Sequence, residues 1–323
     1  MSDSHDDSSS DEEIIRHERV FRSRINFHRN DEKEHRERFR GNEEMVTLLL
    51  NRIGGQLERQ TNRNHALSPR QQLLLCLRYL SGNAFYHLNG DSHGVHKSPV
   101  CRIIKRVVIT INKHIYDELV HLPEDSDSVR QQFFEVAGMP SVCGLVDGSL
   151  IKIKAPNTNE HQYVDRHGNH SINAIFVCGP RLEFFFCSAR YPGSLHDSRA
   201  FRNSSLYTLI ERNWRPFPSA IILGDSAFPN KEWLIPPLHA PISEAERRFN
   251  ASHTSSRAII ERAFGVLKQR FNVLKTPIRV KTPEYACEII KCCAALHNLC
   301  LRFNGLPDQV VSEAVTDLSL IHI

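Results

Sequence analysis

The chain has 323 residues, 40% hydrophobic and 24% charged, with nine cysteines and a formal net charge of +4. That length suits about two domains of ordinary globular composition, and the absence of an apolar run of about 18 residues excludes a membrane-spanning helix. The acidic start MSDSHDDSSSDEE has no apolar core and excludes a secretory signal. An odd number of cysteines, most of them in apolar segments (Cys76, Cys143, Cys178, Cys187), reads as reduced thiols in an intracellular protein and not as a disulfide framework.

Residues 1–13 are Ser/Asp/Glu-rich and are expected to be disordered. From Ile14 to Arg40 the chain is arginine-rich with interspersed acids, either a charge-laced helix or a basic arm for DNA or nuclear import. Residues 41–125 read as helical. Met45, Leu48, Leu49 and Ile53 recur at helical spacing, and Ser68-Pro69 is a cap-and-proline start for a helix carrying Leu73, Leu74, Leu77 and Leu80. After Asn89-Gly90 comes a short segment, Asp91–His96, and Ser98-Pro99 then repeats the start signal. The next helix packs Val100, Ile103, Ile104 and Val107 inward and presents Lys97, Arg102, Lys105 and Arg106 outward. Helix, short helix, turn and basic helix is the order of a helix-turn-helix unit whose basic face meets DNA. A plain helical bundle with a solvated face is the alternative.

A polar connection at residues 122–127 ends the helical part, and from about residue 140 the pattern changes. Val142–Val146 is an apolar run suited to a buried strand, interrupted by Asp147-Gly148 and continued by alternation as far as Pro156. Residues 171–179 and 182–189 make two more strands joined at Gly179-Pro180, an antiparallel meander. A helix over residues 198–213, the apolar strand Ala220–Gly224, an irregular Pro- and Trp-containing segment over 230–241, an amphipathic helix over 256–275 and a last helix opened by Thr282-Pro283-Glu284 complete the order. That order is the layout of a ribonuclease-H-like α/β fold, a mixed sheet flanked by helices, over residues 140–302, preceded by the helical unit and followed by a tail at 303–323.

Three acids occupy chemically suggestive places. Asp147 alone reads as the Asp-Gly of a hairpin turn, since a carboxylate inside a strand is costly to bury without a partner. Asp225 directly follows a short apolar strand, at the sheet end where ligands gather in open α/β sheets. Glu261 lies about 100° off the stripe Ile260, Phe264, Leu267, Phe271, in line with Arg257, Gly265 and Lys268, and Gly265 mid-helix suggests room left for something. Three converging carboxylates would hold Mg²⁺ or Mn²⁺ for phosphodiester hydrolysis. Asp197 is either a further ligand or the N-cap of the helix behind it, and His196 beside it either a proton shuttle or a structural hydrogen-bonder. Cys293, His297 and Cys300 share one helix face but lack a fourth ligand and read as core.

The strings GLVDGSLIKIKAP, HSINAIFVCG, YPGSLHDSRAFRNS, LGDSAFP and RAIIERAFGVLKQRF, closed by ALHNLC, resemble the transposases of the PIF/Harbinger superfamily and their domesticated nuclease relatives in animals. The helices over Ser68–Asn112 resemble the same family's helix-turn-helix region. The resemblance implies a DDE-type endonuclease with Asp147, Asp225 and Glu261 as catalytic metal ligands, and the 35 residues between Asp225 and Glu261 match a spacing usual in such enzymes. It also implies DNA as substrate, a separate Myb/SANT-like partner that brings the chain to DNA, and a location in nucleus and cytoplasm. A catalytically silent DNA-binding adaptor that keeps the fold is the competing expectation.

Overall fold

The computed structural model describes residues 31–61 and 65–304. The expected disordered start, the arm as far as Asn30 and the tail from Gly305 lie outside the described residues. Helix α1 (Glu32–Phe39) is laced by Arg36–Glu32 and Arg38–Glu34 pairs one turn apart, the charge-pair reading for this end of the arm. The Asn42 side chain accepts from the Met45 N–H at 2.9 Å to open α2 (Glu43–Leu57). Ser68 and Gln71 form a reciprocal capping box, with proline at the first position, to open α3 (Pro69–Gly82).

The next two helices differ from expectation in detail. The short helix α4 is Tyr86–Asp91, with Asn89-Gly90 inside it, and α5 begins at Lys97 and runs to His114. Gly90 is the cause. A Cβ there would stand 2.3 Å from the Val95 carbonyl oxygen, and the Val95 N–H donates to the Gly90 carbonyl at 2.9 Å. The glycine therefore marks a close approach of the turn to α4 and not the turn itself. The inward face of α5 is as expected: Val100, Ile103, Ile104 and Val107 are buried in one cluster with Leu73, Leu77 and Leu80 of α3. Each such side chain contributes about 1.5–3 kcal/mol on burial.

A short helix α6 (Tyr116–Leu119) and α7 (Ser126–Ala137), capped by Asp125, lead into the sheet. Strands β1 (Val142–Lys152), β2 (Ser171–Cys178) and β3 (Phe184–Pro192) form the expected meander. One expected helix is two, α8 (Asp197–Arg202) and α9 (Ser205–Glu211), because Ser204 caps a new start. Strand β4 (Ile221–Leu223) pairs parallel with β1, and β5 (Leu234–Ile235), inside the segment expected to be irregular, pairs parallel with β4. The order β3-β2-β1-β4-β5, flanked by helices and preceded by the helix-turn-helix region, is that of a ribonuclease-H-like DDE domain.

Two long helices close the molecule. Helix α10 (Glu244–Arg270) starts twelve residues before the expected one, at a Ser243–Glu246 capping box. Its first half is too polar to show a stripe. Helix α11 (Pro283–Asn304) stitches the helical unit to the sheet. The Asn298 side chain donates to the carbonyls of Leu119 and Phe184, both at 2.8 Å, and accepts from the Phe184 N–H at 2.9 Å. Its neighbour His297 donates from Nε2 to the Leu182 carbonyl at 2.9 Å. The ALHNLC string is thus a clamp on the β2–β3 turn, and Cys293, His297 and Cys300 are all buried, the core reading.

The sheet separates two apolar layers by alternation, interrupted where the register shifts in the β1–β4 and β2–β3 pairings. Val146, Ile175, Val177 and Ile222 join Phe201, Phe228 and Trp233 under α8 and α9. Leu145, Phe176, Phe184 and Leu223 face Ile260 and Leu267 of α10, in a layer continuous with the helical unit.

Candidate active site

Asp147 sits in the middle of β1, opposite Phe176 of β2, so the hairpin-turn alternative does not apply. By alternation its side chain points to the α10 face, as Leu145 does. Gly148 donates its N–H to Asp147 Oδ1 at 2.8 Å, and Arg257 of α10 donates from Nη2 to Oδ2 at 2.7 Å. Both partners of this ion pair are 16% exposed. Burial pushes the Asp147 carboxyl up to about 6; Arg257 and the Gly148 N–H oppose that rise, and the charges of Asp225 and Asp197 add to it.

Asp225 follows Gly224 at the carboxyl end of β4, two residues beyond Leu223 and so on the same face as Asp147. Its Oδ1 accepts from the Ala227 N–H at 3.0 Å, which fixes the turn after the strand.

Asp197 reaches the same strand from the other side. It is the first helical residue of α8; the N-cap is His196, and no side-chain cap bond forms. Asp197 Oδ1 accepts from Asn173 Nδ2 at 2.6 Å, and a Cβ on Gly148 would fall 2.2 Å from that oxygen. Gly148 points away from the α10 face, so the Asp197 carboxylate lies against β1 behind Asp147. Burial raises the Asp197 carboxyl; Asn173 opposes that rise, Asp225 adds to it, and the nearby Arg166 and His196 lower it. The neighbouring His196 is exposed.

Glu261 is exposed, one turn beyond Arg257 on α10. A Cβ on Gly265 would meet nothing within 4 Å, so this side of α10 is open. Among the described residues no three His, Cys, Asp or Glu side chains converge into a group able to hold a metal ion. The donor chemistry nonetheless suits a hard divalent cation, since Asp147 and Asp225 are all-oxygen donors on one sheet face whose charges repel. The guanidinium of Arg257 stands on Asp147 where such a cation would act.

Arg257 is read from the sequence only as lying in line with Glu261, without a role, whereas its guanidinium meets the sheet at Asp147. It lies three residues before Ile260 and seven before Phe264, so it extends the buried stripe by one turn. Where the sheet presents Phe176 and Phe184, α10 answers with Phe264, at centroid distances of 5.3 and 6.0 Å. Where the sheet presents Asp147, the helix answers with a cation.

The basic face of α5 divides. Lys97 and Arg102 are exposed, and Lys105 lies 5.5 Å from the centre of the Tyr285 ring. Arg106 is occupied, contrary to the expectation that it faces outward. It donates from Nη2 to the carbonyls of Gln56 and Glu58 at 2.7 and 3.0 Å, capping the C-terminus of α2. A cavity of about 640 Å³ by the β2–β3 turn is lined by Arg181, Arg262 and Arg302 and by none of the four acids.

The model of the DDE superfamily endonucleases matches residues 146–298, and that of their helix-turn-helix region matches residues 65–116. The nuclease-named protein HARBI1 is 33% identical over 264 residues in both Bos taurus and Homo sapiens, covering 80% of this chain and 74% of the relative. The Arabidopsis thaliana protein named Antagonist of Like Heterochromatin Protein 1 is 24% identical over 251 residues, 72% of this chain and 62% of the relative. No solved structure matches. With a DDE sheet whose first strand carries Asp147 and a helix-turn-helix region before it, the chain belongs to the harbinger transposase-derived nucleases of the DDE endonuclease superfamily.

Proposed function

We propose that this chain is a divalent-metal-dependent DNA endonuclease that hydrolyses phosphodiester bonds. The observation that carries the reading is the pair Asp147 and Asp225 on one face of the sheet, Asp147 within β1 and Asp225 just beyond the end of the neighbouring β4. These two, with Glu261 from α10, are the residues that would hold Mg²⁺ or Mn²⁺. A cation held there supplies water activation and stabilisation of the leaving oxygen. The chain itself fixes Asp147 in a strand, fixes Asp225 on the Ala227 N–H and leaves the Glu261 side of α10 open to a duplex. Asp197, expected as either a further ligand or a helix cap, is assigned here to support of the Asp147–Gly148 segment from the opposite face.

DNA contacts are assigned to the helix-turn-helix region through Lys97 and Arg102, with Lys105 beside them. With Arg106 spent on α2, this free basic surface is small, which supports recruitment by a Myb/SANT-like partner. Residence in nucleus and cytoplasm completes the proposal, and a fluorescent fusion excluded from the nucleus would remove that part.

A second reading, a DNA-binding adaptor that no longer cuts, is favoured by Arg257 occupying Asp147 and by the heterochromatin-related name of the Arabidopsis relative. Nicking of supercoiled plasmid in Mg²⁺ or Mn²⁺ separates the two. Metal-dependent nicking that falls by at least about 100-fold in Glu261→Gln and Asp147→Asn supports the nuclease; no nicking, or equal nicking by the variants, supports the adaptor.

A further inference from the structure

We propose that Arg257 is an internal counter-ion, a positioning residue that holds Asp147 until a divalent cation displaces it. The inference rests on the metal-dependent reading above and deepens it.

Three observations carry it. First, Arg257 Nη2 takes Asp147 Oδ2 at 2.7 Å while the Gly148 N–H takes Oδ1 at 2.8 Å. Both oxygens of the carboxylate therefore carry a donor, and a cation approaching Oδ2 meets the positive charge of the guanidinium already held there. Second, Arg257 is poorly satisfied where it sits. Its Nε is buried without a hydrogen-bond partner, a cost that movement of the side chain would relieve. His253, one turn before it on α10, is itself held toward its neutral form by burial, and Arg257 adds to that effect. Third, the charges do not balance. One guanidinium pairs with Asp147, while Asp225 lies on the same sheet face and Asp197 behind the strand. A single positive charge offsets less of the repulsion among these acids than a divalent ion would.

The position of Arg257 makes such an exchange local. It belongs to the same buried stripe as Phe264, which is fixed against Phe176 and Phe184, so the helix is anchored by its aromatic turns. Only the arginine side chain needs to move. Glu261 lies on the exposed line one turn on, so departure of the guanidinium clears the path between the sheet acids and the helix acid.

Mn²⁺ is titrated into chelator-treated full-length protein, with free Mn²⁺ followed by EPR and melting recorded with and without the ion. Arg257→Gln is expected to bind Mn²⁺ about tenfold more tightly than the parent protein, because a competing cation is gone. It should also melt lower in chelator and gain more from Mn²⁺. Arg257→Lys keeps the charge without the rigid fork, and its affinity should fall between the two. If Arg257→Gln does not fold, Arg257→Lys against the parent protein decides alone, tighter binding supporting the proposal. Mn²⁺ affinity that is unchanged or weaker in the variants overturns the counter-ion role while leaving the metal reading intact. No Mn²⁺ binding by parent protein or variants overturns the metal reading, and the counter-ion role with it.

Discussion

A methyl group added at Gly148 would collide with the Asp197 carboxylate, whose Oδ1 is held by Asn173. Gly148→Ala is therefore expected to destabilise the fold by about 1–3 kcal/mol through overpacking, and Asp197→Gly in the same chain should recover part of that loss. Thermal denaturation of the two variants checks it; a Gly148→Ala protein that melts like the parent would remove the close packing from the account. In the sequence, Asp147-Gly148 carries two opposed signals, a hairpin dipeptide and a costly charge in a strand. The strand reading holds because both Asp147 oxygens find donors. The role of the glycine was not legible, since it depends on a helix start fifty residues later crossing β1. Arg257 was legible in principle, as the residue continuing the stripe of Ile260 and Phe264, but a cation at a stripe position reads as its end until the facing strand is known.

At the scale of elements, α5 is the sharpest test. Its apolar face was readable from period alone, whereas the division of its cations required α2. Arg106→Ala should cost about 1–2 kcal/mol of stability by freeing the last carbonyls of α2, with little change in the salt dependence of DNA binding. Lys97→Ala and Arg102→Ala should do the reverse, each lowering the slope of log affinity against log salt by about one unit. Fluorescence anisotropy with a duplex at several salt concentrations reads both. A loss of slope in Arg106→Ala equal to that in Arg102→Ala would place Arg106 on DNA instead. Long periodic elements such as β1, β2, β3 and α11 were visible in the sequence. The two-residue β5 was too short for any period, and the first half of α10, EAERRFNASHT, shows no apolar stripe.

For the molecule as a whole, the continuous apolar layer from α1 to α11 makes the helical unit and the sheet one core. Phe176 is fully buried at its centre, 4.7 Å from Phe184 by ring centroids, and Phe176→Ala should cost about 3–5 kcal/mol in a single cooperative unfolding step. Two separated transitions would contradict a shared core. Buried histidines tie that core to pH. Burial holds His297 at about 3 and His93 at about 4, below the unfolded value of about 6.5. Their contribution is complete above about pH 6.5 and is lost as pH falls toward those folded values. Asp147, raised to about 6, acts in the opposite sense, so the net fall in the urea midpoint from pH 7 to pH 5 is smaller than the two histidines alone would give. A midpoint that stays level or rises over that interval would contradict the account.

The central claim, that the sheet acids Asp147 and Asp225 form a cation site gated from α10, is tested most directly by a crystal structure with Mn²⁺ located from its anomalous scattering. The account predicts a manganese peak between Asp147 and Asp225, with the Arg257 guanidinium moved off Asp147. Crystals soaked to saturation that show no peak at these acids, or a peak elsewhere with Arg257 still on Asp147, would contradict it.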